Sequence, residues 1–449
     1  MPELRLDRSN SYPGKCDVCG VAVPASRGYI VPRDAFRGPA PTHARKWCTI
    51  CRAPQCATVA VGQSVVAASN ARELHRDGAI VMPYDEKALP LLRAIAAWDG
   101  ESKCWRASML LRDRDLVLSI ADKLGLAVDA SLREYEDPPH VRAAVERARA
   151  VPTIREYQVK GVRWLAYRAD TTGAPEGYVD KRPGGLFAWD PGLGKTLASL
   201  LSLGDDEALV VVCPANAKAV WPREAAKWRP GRFDVVTVCD GAESFRWPAS
   251  PRELVVINYD VLPFTPAQIV EEREKIGAQL AELGEATEDE DVKITRKRKR
   301  LTKLLGTNAL RRSAGEPPCK VLLVEDEAHY VENNKALRTV RARHLASKVA
   351  RLYGLTGTPV ESEPLKLWGL LTTLRCNPFS WTSFLTQFNG SAGRWGGFEF
   401  ARVALELGST ARGPVKVEPG TTEILARCLL RDTKAKVLTE LPPKVYSEI

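Results

Sequence analysis

Trp189-Asp190-Pro191-Gly192-Leu193-Gly194-Lys195-Thr196 lies between an apolar run, Gly185-Leu186-Phe187-Ala188, and a helical stretch from Leu197 to Leu203. A buried strand that runs into a glycine-bearing loop and then a helix is an arrangement that cradles phosphate. Gly192 and Gly194 let the backbone approach phosphate oxygens, and the unpaired amides at the helix start donate to them. Lys195 brings a point charge to the terminal phosphates, and Thr196 offers a hydroxyl to Mg²⁺. The strict form of this loop has glycine where Trp189 stands. On these eight residues alone, a Gly/Pro turn that merely caps a helix stays open.

The partner of such a loop is an acidic strand end, and the chain has one at Val321-Leu322-Leu323-Val324-Glu325-Asp326-Glu327-Ala328-His329. An apolar strand there delivers adjacent carboxylates at its C-terminal end, where ligands bind in doubly wound sheets. Asp326 is expected to hold Mg²⁺ through its shell, and Glu327 to orient or deprotonate an attacking water. Glu325 is expected to be a solvated neighbour. Two further runs, Ala208 to Pro214 and Leu254 to Asp260, are continuously apolar at their cores, as expected for strands buried on both faces of a parallel sheet. The fold class expected is therefore α/β, a nucleotide-binding lobe built on a parallel sheet.

The 449 residues carry 65 basic and 55 acidic side chains, a net charge of +10, which favours a polyanionic partner such as nucleic acid. No apolar run approaches the roughly 20 residues that cross a bilayer, and Met1-Pro2-Glu3-Leu4-Arg5 lacks an apolar signal core. An intracellular, cytoplasmic location with no membrane partner is the expectation. Of the 11 cysteines, Cys16-x-x-Cys19 and Cys48-x-x-Cys51 form two knuckle-like pairs. Residues 1–62 are rich in Pro, Gly and Arg and cannot bury much apolar surface unaided. A structural Zn²⁺ held by Cys16, Cys19, Cys48 and Cys51 would supply the staple, against unbound or redox thiols. His43 and Cys56 are possible replacement ligands. Cys104, Cys213, Cys239, Cys319, Cys376 and Cys428 are expected as small core residues.

Residues 78–130 change to a mixed pattern: a strand over Ala79–Tyr84, a helix over Glu86–Ala97, a strand over Cys104–Ala107 and a helix over Asp113–Leu124. This is a small α+β module. Residues 131–150 look like a linker helix. An insertion, 266–318, pairs acidic Glu285–Asp291 with basic Lys293–Arg300 and is expected to be a helical hairpin with a disordered tip. Its basic run could track a phosphate backbone, mimic a nuclear signal, or simply be a solvated helix.

Several motifs, in order, make the chain from Ile154 onward resemble the first RecA-like lobe of Swi/Snf-family DNA translocases. They are Ile154 to Leu165 with Gln158, the phosphate loop, Pro214 to Trp221, Asp326 to His329, Leu355-Thr356-Gly357-Thr358-Pro359 and Leu429 to Lys434. The resemblance implies that residues 151–449 are a RecA-like ATP-binding lobe. By it, Gln158 reads the adenine edge while Gly192, Gly194, Lys195 and Thr196 hold the phosphates and Mg²⁺ of the same nucleotide. It implies that Lys218 contacts the DNA backbone, and that His329 with Thr356, Gly357 and Thr358 couples nucleotide state to DNA grip. Asp432 departs from the family's usual second arginine, and Glu332 from its usual lysine. Residues 78–130 resemble the HARP module of annealing helicases in Pro83-Tyr84-Asp85, Trp98-Asp99-Gly100 and Lys103-Cys104-Trp105. That likeness implies recognition of DNA structure, against an accessory packing domain.

The resemblance thus implies ATP and Mg²⁺ as cofactors, double-stranded or forked DNA as partner, and a role in DNA repair or replication at a nucleoid or viral replication site. The family completes its ATP site with a second RecA-like lobe. Because the sequence stops at Ile449, that lobe is expected from a separate polypeptide or a missing segment, with feeble hydrolysis by this chain alone. The function expected is an ATP-dependent DNA translocase or fork-remodelling annealing helicase. The alternative is an ATP-switched DNA-structure-binding regulator.

Overall fold

A computed structural model of the chain describes residues 10, 13–18, 21–24, 27–32, 47–51, 72–99, 104–108, 111–168, 184–283, 292–306, 314–359, 364–392, 398–400 and 420–438. The chain divides into two compact units, residues 1–87 with 121–129 and residues 88–120 with 130–449.

The larger unit is built on seven strands: β1 Leu186–Trp189, β2 Ala208–Cys213, β3 Val235–Val238, β4 Glu253–Asn258, β5 Val321–Asp326, β6 Arg351–Leu355 and β7 Leu429–Asp432. They form one sheet in the order β3-β4-β2-β5-β6-β1-β7, with every neighbouring pair parallel. Apolar runs make this possible. Every residue of β1, β2 and β6 is buried, as two-sided cover by helices requires. Alternation along each strand divides the core in two. Leu186, Ala188, Val210, Val212 and Leu323 belong to one side. Phe187, Trp189, Leu209, Val211 and Val324 face the other, with residues of the helices Glu156–Tyr167 and Lys195–Ser202. Each such Val, Leu or Phe contributes about 1.5–3 kcal/mol by leaving water.

From β1 the chain passes β6 and β5 to form β2, jumps to the edge strand β3, comes back to β4 between β3 and β2, and then forms β5, β6 and finally β7. One strand, β6, therefore separates β1 from β5. The carboxyl ends of β1 and β5 open a crevice at this reversal of strand order.

The helix Pro139–Arg149 corrects the linker reading. Val141, Ala144 and Ala148 on one face are fully buried and belong to the same core as Val162, Leu165 and Leu200. Their spacing of three and four residues is a helical stripe that the surrounding charges obscured. Arg163 from the following helix holds Asp137 through Nε and Nη2 at 2.7–3.1 Å and reaches Asp115 at 2.5 Å.

The helix expected over Glu86–Ala97 is shorter, Leu89–Ile95, because Ala96–Asp99 is a strand paired antiparallel with Cys104–Ala107. Trp98 and Trp105 face each other across that pair, edge to face at 5.7 Å. The Asp113–Leu124 helix appears as Arg114–Lys123 after a single turn at Leu111–Asp113.

The insertion is a pair of helices, Pro266–Glu282 and Val292–Leu305. Thr265 and Gln268 form a reciprocal cap at its start, and Ile276 and Leu301 join the two helices with Leu280 and Leu305. The expected tip, 284–291, lies outside the described residues. Arg296, Lys297, Lys299, Arg300 and Lys303 are exposed. Cys213, Cys239, Cys376 and Cys428 are buried core residues, while Cys104 and Cys319 are half-buried.

In the smaller unit Gly14–Lys15 pairs antiparallel with Ala22–Val23, and Gly28–Pro32 with Trp47–Cys51. Asp17 ties the first cysteine turn to the second hairpin: its Oδ2 accepts from the Thr49 amide at 2.6 Å and its amide donates to the Thr49 carbonyl at 2.7 Å. Cys16 and Cys48 are both buried there. Cys19, His43 and Cys56, and the side chain of Cys51, lie outside the described residues, and among the described residues no group of three or more His, Cys, Asp or Glu is placed to hold a metal ion. No described helix is long and apolar enough to cross a membrane.

Candidate nucleotide site

β1 ends at Trp189 and the loop begins at Asp190. Gly192 and Gly194 have φ of 84° and 94°, the left-handed region that a side chain makes costly. Gly194 is the N-cap of the helix Lys195–Ser202, so the amides of the first helical turn open toward the loop. Lys195 is anchored by donating from Nζ to the Trp189 carbonyl at 2.9 Å. Burial pulls its pKa down, while the nearby carboxylates of Glu327, Asp326 and Asp190 oppose that shift. The electrostatics thus bring the phosphate loop and the acidic strand end into one site.

Trp189 explains the missing glycine. It is fully buried, packed on Phe187 at 4.2 Å and edge-on to Tyr157 at 5.4 Å. Its indole fills the core beneath the loop and leaves the loop's inner path to the two glycines.

At the end of β5, Asp326 is fixed from three directions. Trp221 Nε1 donates to Oδ2 at 2.9 Å, the Glu327 amide to Oδ1 at 3.1 Å, and Tyr259 Oη to the Asp326 carbonyl at 2.9 Å. Burial holds its carboxyl above the usual range, and the neighbouring Glu327 charge adds to this. Glu327 itself adopts φ 49°, a strained conformation for a side-chain-bearing residue, of a kind that concentrates at functional sites. A hydroxyl at Thr196 and a carboxylate at Asp326 are hard oxygen donors suited to Mg²⁺, and two adjacent acids facing one lysine leave negative charge for a divalent cation to offset.

Glu325 overturns its expectation. It is fully buried, and neither carboxyl oxygen has a hydrogen-bond partner. Desolvation pushes its pKa up to about 8, with Arg343 as the opposing charge.

His329 lies between the acids and the next strand's turn: Nδ1 is 3.4 Å from Glu327 Oε2 and 3.3 Å from Thr356 Oγ1. Thr356 is buried and accepts from the Thr358 amide at 3.1 Å. A methyl group at Gly357 would lie 2.9 Å from Pro191 Cδ, so this turn touches the phosphate loop. The residues named for coupling are therefore contiguous with the site.

Gln158 and Lys218 are engaged within the chain. The Gln158 amide donates to the Leu193 carbonyl at 3.1 Å and accepts from the Arg155 amide at 3.0 Å, bracing the loop from the helix Glu156–Tyr167. Lys218 Nζ donates to the Cys239 carbonyl at 3.0 Å and lies 3.9 Å from Asp240. Trp221, the last residue of the Pro214 to Trp221 motif, is a core residue that positions Asp326.

Sequence reasoning missed Trp221, Tyr259 and Arg431 as site residues. Arg431 on β7 donates to the Ala188 carbonyl at 2.7 Å, the Gly357 carbonyl at 3.2 Å and Asp190 Oδ1 at 2.8 Å, locking loop, turn and edge strand together. Only Tyr259 carried a positional signal, just beyond the carboxyl end of the apolar strand β4; Trp221 lies inside the helix Val220–Trp228 and Arg431 within β7.

The profile of the SNF2-related domain matches residues 157–449. The chain belongs to the SNF2-related domain family. Among curated relatives, the SNF2-related chain is 23% identical over 303 residues to the ISWI chromatin-remodeling complex ATPase ISW2 of Saccharomyces cerevisiae, covering 66% of this chain and 21% of that protein. It is 26% identical over 336 residues to a putative SWI/SNF-related matrix-associated actin-dependent regulator of chromatin subfamily A member 3-like 1 of Arabidopsis thaliana, covering 64% and 34%. An uncharacterized ATP-dependent helicase of Mycoplasma pneumoniae is 23% identical over 311 residues, covering 67% and 22%. The chain thus spans about a third or less of these relatives. The Sulfolobus solfataricus SWI2/SNF2 ATPase core in complex with dsDNA matches with a TM-score of 0.38 and 19% identity, over 64% of this chain and 46% of that one.

Proposed function

We propose that this SNF2-related lobe binds and hydrolyses ATP as the motor half of a double-stranded-DNA translocase, in the manner of a fork-remodelling annealing helicase. The observation that carries the reading is that β1, which feeds the Lys195 loop, and β5, which ends at Asp326 beside Glu327, open at the same edge of one parallel sheet with a single strand between them. The loop amides and Lys195 bind and orient the triphosphate. Thr196 and Asp326 would hold Mg²⁺, which when bound neutralises charge on the phosphates. Glu327 accepts a proton from, or orients, the attacking water. His329 and Thr356 transmit the state of the acid pair to the Thr356–Thr358 turn, and DNA is the polyanion that the net charge of +10 favours. The HARP-like residues 78–130 recognise DNA structure in this reading. Cys16, Cys19, Cys48 and Cys51 hold a structural Zn²⁺, and purified protein free of zinc would remove that part.

The test is ATP hydrolysis by the purified protein with and without duplex and forked DNA, measured beside nucleotide binding. Turnover is expected to be feeble for this lobe alone and DNA-stimulated once a polypeptide carrying the second RecA-like lobe is added. Tight ATP binding with no turnover under any DNA condition, the second lobe included, would leave an ATP-switched DNA-binding regulator instead.

A further inference from the structure

β7 is the last strand of the sheet, and its register places Trp189 opposite Asp432. The chain therefore leaves β7 level with the point where β1 enters the phosphate loop. Asp190, the first loop residue, accepts from the Lys434 amide at 2.9 Å and from Arg431 Nη2 at 2.8 Å, and its own amide donates to the Asp432 carbonyl at 3.2 Å. These three bonds fix the backbone of Lys434 against the loop. Its side chain then lies along it: a methyl group built on Gly192 would be 3.5 Å from Lys434 Nζ and 3.6 Å from Cε. Lys434 is exposed, and among the described residues its ammonium forms no ion pair. The loop is thus flanked by two lysines. Lys195 rises from the helix start and is anchored at the Trp189 carbonyl, whereas Lys434 reaches in from the edge strand beside the glycine whose conformation opens the loop.

We infer that Lys434 is a second phosphate-contacting cation of the nucleotide site, supplied by the segment after β7. The inference rests on the proposed nucleotide function of the loop. An ammonium held beside Gly192 meets the oxygens of a bound oligophosphate as a compact, hydrated point charge. Such a contact at an exposed position strengthens binding modestly and weakens as salt screens it.

The test is the dissociation constant for ATP of wild type, Lys434→Gln, Lys434→Arg and Lys195→Ala, across low and high salt. Lys434→Gln is expected to weaken ATP binding about fivefold at low salt, with a smaller difference at high salt, and Lys434→Arg to restore most of the affinity. Because only the Lys434 backbone is bonded to Asp190, thermal melting of Lys434→Gln should match wild type. An unchanged dissociation constant for Lys434→Gln at every salt, with Lys195→Ala abolishing binding, overturns the role of Lys434 alone. If Lys195→Ala also binds ATP as wild type does, the nucleotide reading of the loop has failed. Equal losses in the Gln and Arg variants, with no salt dependence, would mean a role in shaping the loop and would likewise overturn the inference.

Discussion

The two edges of the seven-stranded sheet do opposite work with the same residue types. At the carboxyl edge, Lys195, Asp326 and Glu327 face a crevice, and their neighbours hold them in place without neutralising them. At the amino edge, Arg147, Arg229, Arg232 and Arg351 are spent on the chain itself. Arg229 Nη1 donates to the carbonyls of Leu200 and Leu203 at 3.0 Å, Arg147 Nη2 to Leu203 at 2.9 Å, and Arg232 Nη2 to Glu207 at 2.6 Å. Arg147 and Arg229 satisfy the last carbonyls of the helix whose first turn builds the phosphate loop, and Arg232 braces the turn that follows it. Burial beside Arg147 brings the Arg229 pKa down to about 10. Arg351 pairs with the buried Glu207 and donates to the carbonyls of Leu165 and Ser202 at 3.1 Å. The difference teaches that one helix is held at its far end by arginines so that its near end can stay open to a ligand.

Mutations should separate the edges. The largest effect is expected from Glu327→Gln, which should lower ATP turnover by about 10²–10⁴-fold with binding and melting unchanged; loss of ATP binding would show that the acid has been assigned the wrong task. At the other edge, Arg351→Ala should cost about 3–5 kcal/mol of stability, because it leaves Glu207 buried without its partner. Denaturant unfolding measures this, and a variant as stable as wild type would break the contrast.

Glu325→Gln acts between the two. With a folded pKa of about 8 against an ordinary carboxylate near 4.3 when unfolded, Glu325 binds its proton more tightly in the folded chain. Stability from this group is full below about pH 4.3 and drains as pH rises through 8. Glu325→Gln should therefore match wild type below about pH 4 and exceed it by about 5 kcal/mol at pH 8.5, and equal melting temperatures at pH 8.5 would refute the burial argument. The smallest effect belongs to Trp221→Phe. Losing the donor to Asp326 Oδ2 should cost about 1–2 kcal/mol and loosen Mg²⁺-dependent ATP binding, read by titrating Mg²⁺ against nucleotide affinity.

The carboxyl edge was the legible one. Gly192, Gly194, Lys195, Asp326 and Glu327 act through local backbone geometry and strand ends, which leave motifs of fixed spacing, and the apolar runs of β1, β2, β4 and β5 announced a parallel sheet. Residues whose partners lie far away in sequence left no such trace. Arg431 is 241 positions from Asp190, and nothing near either residue marks the other. Glu325 looked solvated because its two following neighbours are functional acids; strand alternation, which puts it on the same face as Val321 and Leu323, would have placed it inside. The helix Pro139–Arg149 was hidden by its arginines, of which Arg147 serves the carbonyls of Leu201 and Leu203 and Arg142 pairs with Glu136.

Trp189 and Gly161 are two halves of one exchange of volume. A methyl group at Gly161 would sit 2.4 Å from the indole of Trp189, so the bulk added at the end of β1 is matched by a side chain withheld from the neighbouring helix. A designer who restored glycine at position 189 to mend the motif would hollow out the floor of the loop, and one who placed alanine at 161 to strengthen the helix would push against that floor. The two positions can change only together.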